Sequence, residues 1–297
     1  MQCSVKILQA RKSETERKID DHVEGVATDG FEELADLFRK NFMYKHERDG
    51  AALAMYHKGR LVVDLWGGWA DRMNEREWTQ NTMANIFCCT KAGIPYLEED
   101  LTLDEAADKT KISKVLEEES PKHPPDSQIA YHPITFGWLI DQVFCRIDAK
   151  HRSIGEYFRD EIRQKYGIDI YIGSCTDQEG RIAKVSPLRK TSAFREYVDD
   201  RKIFSMGNLL HSKDAATLQR MRLQPLSENI ELFNTPAMRS FEQPALNGVA
   251  TARGLALLHQ KFMDGTLCSQ QFFKASIMTI DNKDNLNALI ELGSTTI

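Results

Sequence analysis

Two apolar, strand-like runs, Ala51 to His57 and Arg60 to Trp66, flank the dipeptide Lys58-Gly59. A two-residue link of this kind closes a tight β-hairpin, so part of the core has to be built on antiparallel strands. The second run continues into Asp64-Leu65-Trp66-Gly67-Gly68-Trp69-Ala70-Asp71, where the paired glycines predict a bulge or a close approach of backbone. The tryptophans beside them are expected mainly to supply buried area.

Helical periodicity surrounds the hairpin. Phe31, Leu34, Ala35, Phe38 and Phe42 recur at i, i+3, i+4 and i+7, with Asp29 as the expected cap and Glu32 at the capping-box position. This helix should end near Arg48-Asp49-Gly50. Residues 102–120 suit one or two short charged helices, and Pro121 to Pro125 is a breaker. Pro133 sits in the first turn of an amphipathic helix with Phe136, Leu139, Ile140, Val143 and Ile147 on one face. A further helix is expected over 151–166, a short apolar run over Ile168–Ile172, and a helix from Thr251 to Met263 that Gly265 stops. Asn285 to Leu292 suits one late strand; residues 176–240 show no decisive pattern.

At 297 residues, 41% hydrophobic and 28% charged, the chain has ample length for a core and the composition of a globular protein. A net charge of −5 with no basic stripe argues against a nucleic-acid partner. No segment has the ~18 consecutive apolar residues of a membrane span, so no membrane partner is expected. The N-terminal stretch lacks an apolar signal core, which points to the cytoplasm, with mitochondrial import as the lesser alternative. Six cysteines without a paired framework or CxxC, and eight scattered histidines, imply reduced thiols, no metal and no cofactor.

Phe87-Cys88-Cys89-Thr90-Lys91 sets a nucleophile-type side chain three positions before a lysine. On a helix these two share a face, and a partly desolvated lysine can serve a neighbouring thiol as base. Alone the spacing is weak. Its neighbours make it specific: Val62 to Asp71, Trp78-Thr79, Tyr131-His132-Pro133 through Leu139, Glu242-Gln243-Pro244, and Asn247-Gly248 followed by Thr251-Ala252-Arg253.

Taken in this order, these motifs resemble the serine β-lactamase and penicillin-binding-protein-like superfamily. The branch they look most like is the class C β-lactamase/esterase type, including β-lactamase-related proteins of animals. The resemblance covers roughly residues 25–292. It implies an α+β fold of the β-lactamase/transpeptidase type: an antiparallel sheet, here the N-terminal hairpin plus at most one late strand, flanked by helices, together with a helical region. It divides the chain into a charged lead-in, 1–26, and a β-lactamase-related domain, 27–297. It also implies acyl transfer on an ester, amide or lactam substrate, with Cys88 at the serine position, Lys91 as its lysine and Tyr131 as the tyrosine base or acid.

The sequence departs from the family in three places. Cysteine replaces serine, and a larger sulfur sits off a geometry shaped for oxygen, where about 1 Å of misplacement can cost on the order of 10²-fold in rate. Ala92-Gly93-Ile94-Pro95 follows Lys91 at once, where relatives continue a long helix; proline inside a helix costs ~3 kcal/mol and glycine ~1. A segment is thus expected to be missing after Lys91, as in an alternative transcript or gene model. No Lys-x-Gly or His-x-Gly follows Gly265, so the C-terminal strands and third motif are expected to be absent, leaving a truncated isoform. An unfinished sheet would expose an edge and favour self-association. Three readings follow: an acyl hydrolase working through Cys88, a catalytically inactive pseudoenzyme that binds a ligand or protein, and an incomplete isoform that does not fold stably on its own.

Overall fold

The structure, a computed structural model, describes residues 22–86, 101–120, 135–173, 176–187 and 230–269. The chain divides into two compact units, one of residues 1–90, 140–185 and 232–260, the other of 91–139, 186–231 and 261–297.

The first unit is built on the hairpin. Strand β2 (Gly50–His57) and strand β3 (Arg60–Asp71) pair antiparallel around Lys58 and Gly59, both at positive φ. Strand β1 (Val23–Ala27) pairs with the other edge of β3, giving the order β1-β3-β2, and β4 (Arg76–Glu77) folds back on the end of β3. The sheet therefore takes in the chain from Val23. Alternation along β3 divides its side chains. Val63 and Leu65 join Ala35, Phe38 and Phe42 of helix α1 (Glu32–Met43), while Trp66 and Ala70 face a second cluster around Trp78.

The α1 periodicity holds, with Ala35, Phe38 and Phe42 buried. Its start differs from the expectation at Asp29. Phe31 occupies the cap position without a side-chain bond, and the Glu32 carboxylate reaches back to accept Gly30 N–H at 2.8 Å. A local carboxylate at the positive helix end does the work expected of Asp29. The helix also stops at Met43 rather than near Arg48, because Lys45 turns to a φ of 60°.

Helix α4 (Thr135–Ile147) forms where the proline-led pattern places it, but the face expected to be buried is not. Val143 and Ile147 are 48% and 73% exposed, whereas Trp138 and Asp141 are buried. Asp141 faces inward because its carboxylate accepts Ile154 N–H at 2.8 Å, at the start of α5 (Ile154–Tyr157). One charge-assisted bond to an otherwise orphaned helix N–H outweighs a simple apolar stripe. Helix α5 continues through a π-helical stretch, Phe158–Arg163, into α6 (Gln164–Tyr166), so the helix expected over 151–166 is present with a local change of pitch. Arg152 ties this segment to the end of α4 through Asp148 and Glu161, at 3.0 and 2.8 Å.

A second, three-stranded sheet has the order β5-β7-β6, from Ala84–Asn85, Val249–Ala250 and Ile170–Tyr171. Strands of two residues have no periodicity to announce them. Helix α7 (Pro236–Ser240) and helix α8 (Ala252–Met263) complete the later part, the latter stopping ahead of Gly265 at a φ of 82° as expected. In the second unit, α2 (Leu103–Ala107) opens on a Thr102/Glu105 capping box, and Asp108 caps α3 (Lys109–Glu118). These are the two short charged helices expected over 102–120. Asn285 to Leu292 lies outside the described residues.

The glycine pair of β3 acts as a close approach. Gly68 has a φ of 75°, and a Cβ there would stand 2.1 Å from the Asp49 carbonyl oxygen. Gly59 has a similar φ of 77° but open space around it. Gly68→Ala is therefore expected to cost roughly 2–4 kcal/mol in urea unfolding, against about 1 kcal/mol for Gly59→Ala, since strain and clash add only at the first site.

Candidate active site

Cys88, Lys91 and Tyr131, the residues expected to carry nucleophilic and acid–base chemistry, all lie outside the described residues. What the structure does describe is the scaffold that leads into the Cys88 segment. Strand β5 ends at Asn85, and Ile86 N–H donates to the Gly248 carbonyl at 2.9 Å. Just before it, Met83 is fully buried and bonded in both directions: its N–H to Arg181 O at 2.9 Å, and its carbonyl from Ala183 N–H at 2.7 Å. The stretch from Met83 to Ile86, which ends one step ahead of the motif, is therefore fixed by backbone bonds to two separate parts of the chain.

The late motifs prove to be the structural side of that scaffold. Gln243 and Asn247 are buried amides that tie one loop to itself. Asn247 donates to the carbonyls of Met238, at 2.8 Å, and Phe241, while its own oxygen accepts Gln243 N–H at 3.2 Å. The Gln243 oxygen accepts Ala245 N–H at 3.0 Å. A loop of this length carries backbone polar groups into the interior, and these two side chains satisfy them. The result is a fixed Gly248, whose carbonyl receives Ile86 and whose missing side chain leaves room for the Ile86 side chain, 3.3 Å from where a Cβ would be.

The remaining members of the motif act nearby. Thr251 Oγ1 accepts Gly254 N–H at 2.9 Å and so caps α8. Arg253, in the first turn of α8, lies 3.6 Å from the carboxylate of Asp64 on β3, which also accepts from Gln80 at 2.7 Å. Burial raises the pKa of Tyr56 beside this group, with the Arg253 charge opposing and the Asp64 charge adding to the rise. Glu242 accepts Ser153 Oγ–H at 2.9 Å and Gly155 N–H at 2.7 Å, holding the start of α5 against the loop. These contacts explain why the motif residues are of those types, and periodicity could not have supplied their partners. The pairs are separated by about 90 residues for Glu242 with Ser153, and by far more for Arg253 with Asp64.

Asp71 ends β3 and pairs with Lys184 at 2.8 Å, also accepting from Asn74. The Lys184 bond, with help from Asn74, outweighs the opposing effect of burial and holds the Asp71 carboxyl down to about 2. Among the described residues, no group of His, Cys, Asp and Glu could hold a metal ion, and Cys145 and Cys268 form no disulfide. No described helix is long and apolar enough to cross a membrane.

An antiparallel sheet carrying α1 on one face, with a small second sheet that presents the segment after Asn85, is the architecture of the β-lactamase/transpeptidase fold. Solved structures bear this out at the level of fold. A family VIII carboxylesterase superposes with a TM-score of 0.66 at 21% identity, covering 82% of this chain and 72% of the other. A penicillin-binding-protein homologue from Caulobacter crescentus gives 0.63 at 21% over the same shares, and EstA from Arthrobacter nitroguajacolicus Rue61a gives 0.59 at 20%, over 78% and 68%. The beta-lactamase family model matches residues 31–92 and again 92–271, so the chain belongs to the beta-lactamase family. Esterase/beta-lactamase LipL of Mycobacterium tuberculosis is 24% identical, over 73% of this chain. The chain spans 59% of the length of that relative.

Two measurements test the scaffold. Asn247→Ala leaves the buried Met238 and Phe241 carbonyls without their donor and should cost roughly 2–4 kcal/mol in chemical denaturation, with faster amide exchange at Ile86. Lys184→Met removes the partner of a carboxylate whose folded pKa is depressed. The loss, about 1 kcal/mol for this half-exposed lysine, should be full near neutral pH and fade as pH falls from about 4 toward 2, where wild type also loses the ion pair.

Proposed function

We propose that this chain is an acyl-hydrolase-type domain of the beta-lactamase family, with a degenerate site that does not support efficient turnover. The substrate class it descends from is an ester, amide or lactam. In an intact version of the chemistry, the Cys88 thiolate would attack the carbonyl, expel the alcohol or amine, and leave a thioester that water then hydrolyses. Lys91 and Tyr131 would take and return the proton.

The observation that carries the degenerate reading is the break in the family match at residue 92, one position after Lys91. It falls where Ala92-Gly93-Ile94-Pro95 replaces a continuing helix. Gly93 and Pro95 disfavour helix directly after Lys91, which takes away the turns that would hold Cys88 and Lys91 in register, and loss of one orienting element typically costs about 10²–10³ in rate. The exchange of serine for cysteine adds to that loss. The kinship with esterases and with a penicillin-binding-protein homologue supports a binding cleft for acyl compounds, which a pseudoenzyme would retain as a ligand or protein site.

The test uses the full chain with a p-nitrophenyl ester and nitrocefin, comparing wild type with Cys88→Ala, Cys88→Ser and Lys91→Ala. Equal background rates in all four are expected, together with a cooperative thermal transition showing that the chain is folded. Hydrolysis by wild type that disappears in Cys88→Ala, and is kept or raised in Cys88→Ser, would overturn the proposal and establish an acyl-Cys88 enzyme.

A further inference from the structure

The outer edge of strand β2 plays no part in the chemistry proposed at Cys88. Among the described residues, β2 pairs only with β3. The hydrogen bonds of its neighbours fix which of its backbone groups turn away from β3. On β3, Val62 accepts from Thr28 and Gly68 donates to His22, both on the β1 side, whereas Trp69 donates to Asp49 on the β2 side. Even-numbered positions of β3 therefore serve β1, and odd-numbered positions serve β2. In the β2–β3 register, Ala51, Leu53 and Met55 face Gly67, Leu65 and Val63 and bond inward. Gly50, Ala52 and Ala54 turn their N–H and C=O groups outward.

That edge lacks the features that normally keep a strand solitary. From Gly50 to Tyr56 it contains no charge and no proline, and three of its residues are alanine. The register stays regular from Gly50 to Met55, with an irregularity only between Met55 and Tyr56. Strand β1, at the opposite edge, is a poorer candidate. It has five residues, carries Glu24, and is distorted at Gly25, where φ is 120°.

We propose that β2 pairs with β2 of a second copy of this chain, antiparallel, about a two-fold axis at Leu53. Only residues with outward groups can form the hydrogen-bonded pairs, which selects registers with such residues opposite one another. With the axis at Leu53, Ala52 faces Ala54 of the other copy and bonds to it. Leu53 faces its own counterpart at a close non-bonded position, and Ala51 faces Met55. Within Gly50 to Tyr56 no charge meets a like charge. Leu53 and Ala51 already pack partly buried against the α1 cluster, so the pairing extends that core across the axis. A two-fold contact closes on itself and yields a dimer rather than a fibre. A single strand pair buries less than a standard interface of about 1,200–2,000 Å², so the dimer should be weak and concentration-dependent. The proposal is independent of any activity at Cys88.

Sedimentation velocity on the reduced full chain, from about 5 to about 500 µM, spans the range expected for such an interface. The expected result is a monomer–dimer equilibrium with its midpoint inside that range. Met55→Lys places a charge on an exposed edge position, and Ala54→Pro removes an outward N–H without touching the β3 ladder. Each should raise the dissociation constant at least tenfold while far-UV circular dichroism stays that of wild type. If Ala54→Pro unfolds, Met55→Lys alone decides. A wild type that stays monomeric throughout, a dimer that Met55→Lys does not weaken, or an open-ended series of larger species would each overturn the proposal. The first of these would mean that a different partner, or another part of the chain, occupies the edge.

Discussion

Everything described in the first unit hangs on the backbone ladder of β3. Its twelve residues bond to β1 along one edge and to β2 along the other, and they carry Asp64, Asp71 and the Gly67-Gly68 approach. Because alternate peptide groups serve opposite neighbours, β3 cannot slip against one strand without breaking with the other. A one-residue slip would also turn Val63 and Leu65 away from α1. The helix, both hydrophobic clusters and the ion pairs at Asp64 and Asp71 all take their positions from this one register.

The second level of organisation is polar rather than apolar. Buried amides at Gln243 and Asn247, the Glu242 carboxylate and the Thr251 cap occupy places where a loop or a helix end brings backbone groups out of water. Unsatisfied, each such group would cost about 1–3 kcal/mol. Satisfied, they give the loop before β7 one conformation, and through Gly248 they hold Ile86 at the entry to the Cys88 segment. The motifs that mark the family are thus largely the means of holding that entry. They stabilise the fold whether or not acyl chemistry follows.

The hairpin, α1, α4, α8 and the short charged helices were legible because each rests on local periods or turn residues that lie within a few positions of one another. The misses have a common cause. Asp29 was displaced as the α1 cap by Glu32, three positions on, and Val143 and Ile147 stayed exposed because Asp141 found a partner at Ile154. Two-residue strands such as β5 and β7 have no period at all, and their pairing brings Ala84 to Ala250 across most of the chain. For the candidate site, residue identity and order pointed to Cys88, Lys91 and Tyr131. The contacts of Glu242, Asn247 and Arg253 depended on distant partners.

The amino-acid sequence by itself determined the antiparallel hairpin and its turn, because Lys58-Gly59 and the flanking apolar runs encode them locally. It also determined the family, because several motifs in fixed order are a stronger signal than any one spacing. Only the tertiary structure decided what those motifs hold. Asp64 meets Arg253, Glu242 meets Ser153, and Gly248 receives Ile86 because the chain closes long loops to bring them together. It likewise decided which strands form the edges of the sheet among the described residues, since β1 flanks one side of β3 and β2 the other. Pairing between distant segments is a property of the packed whole, and no local pattern encodes it.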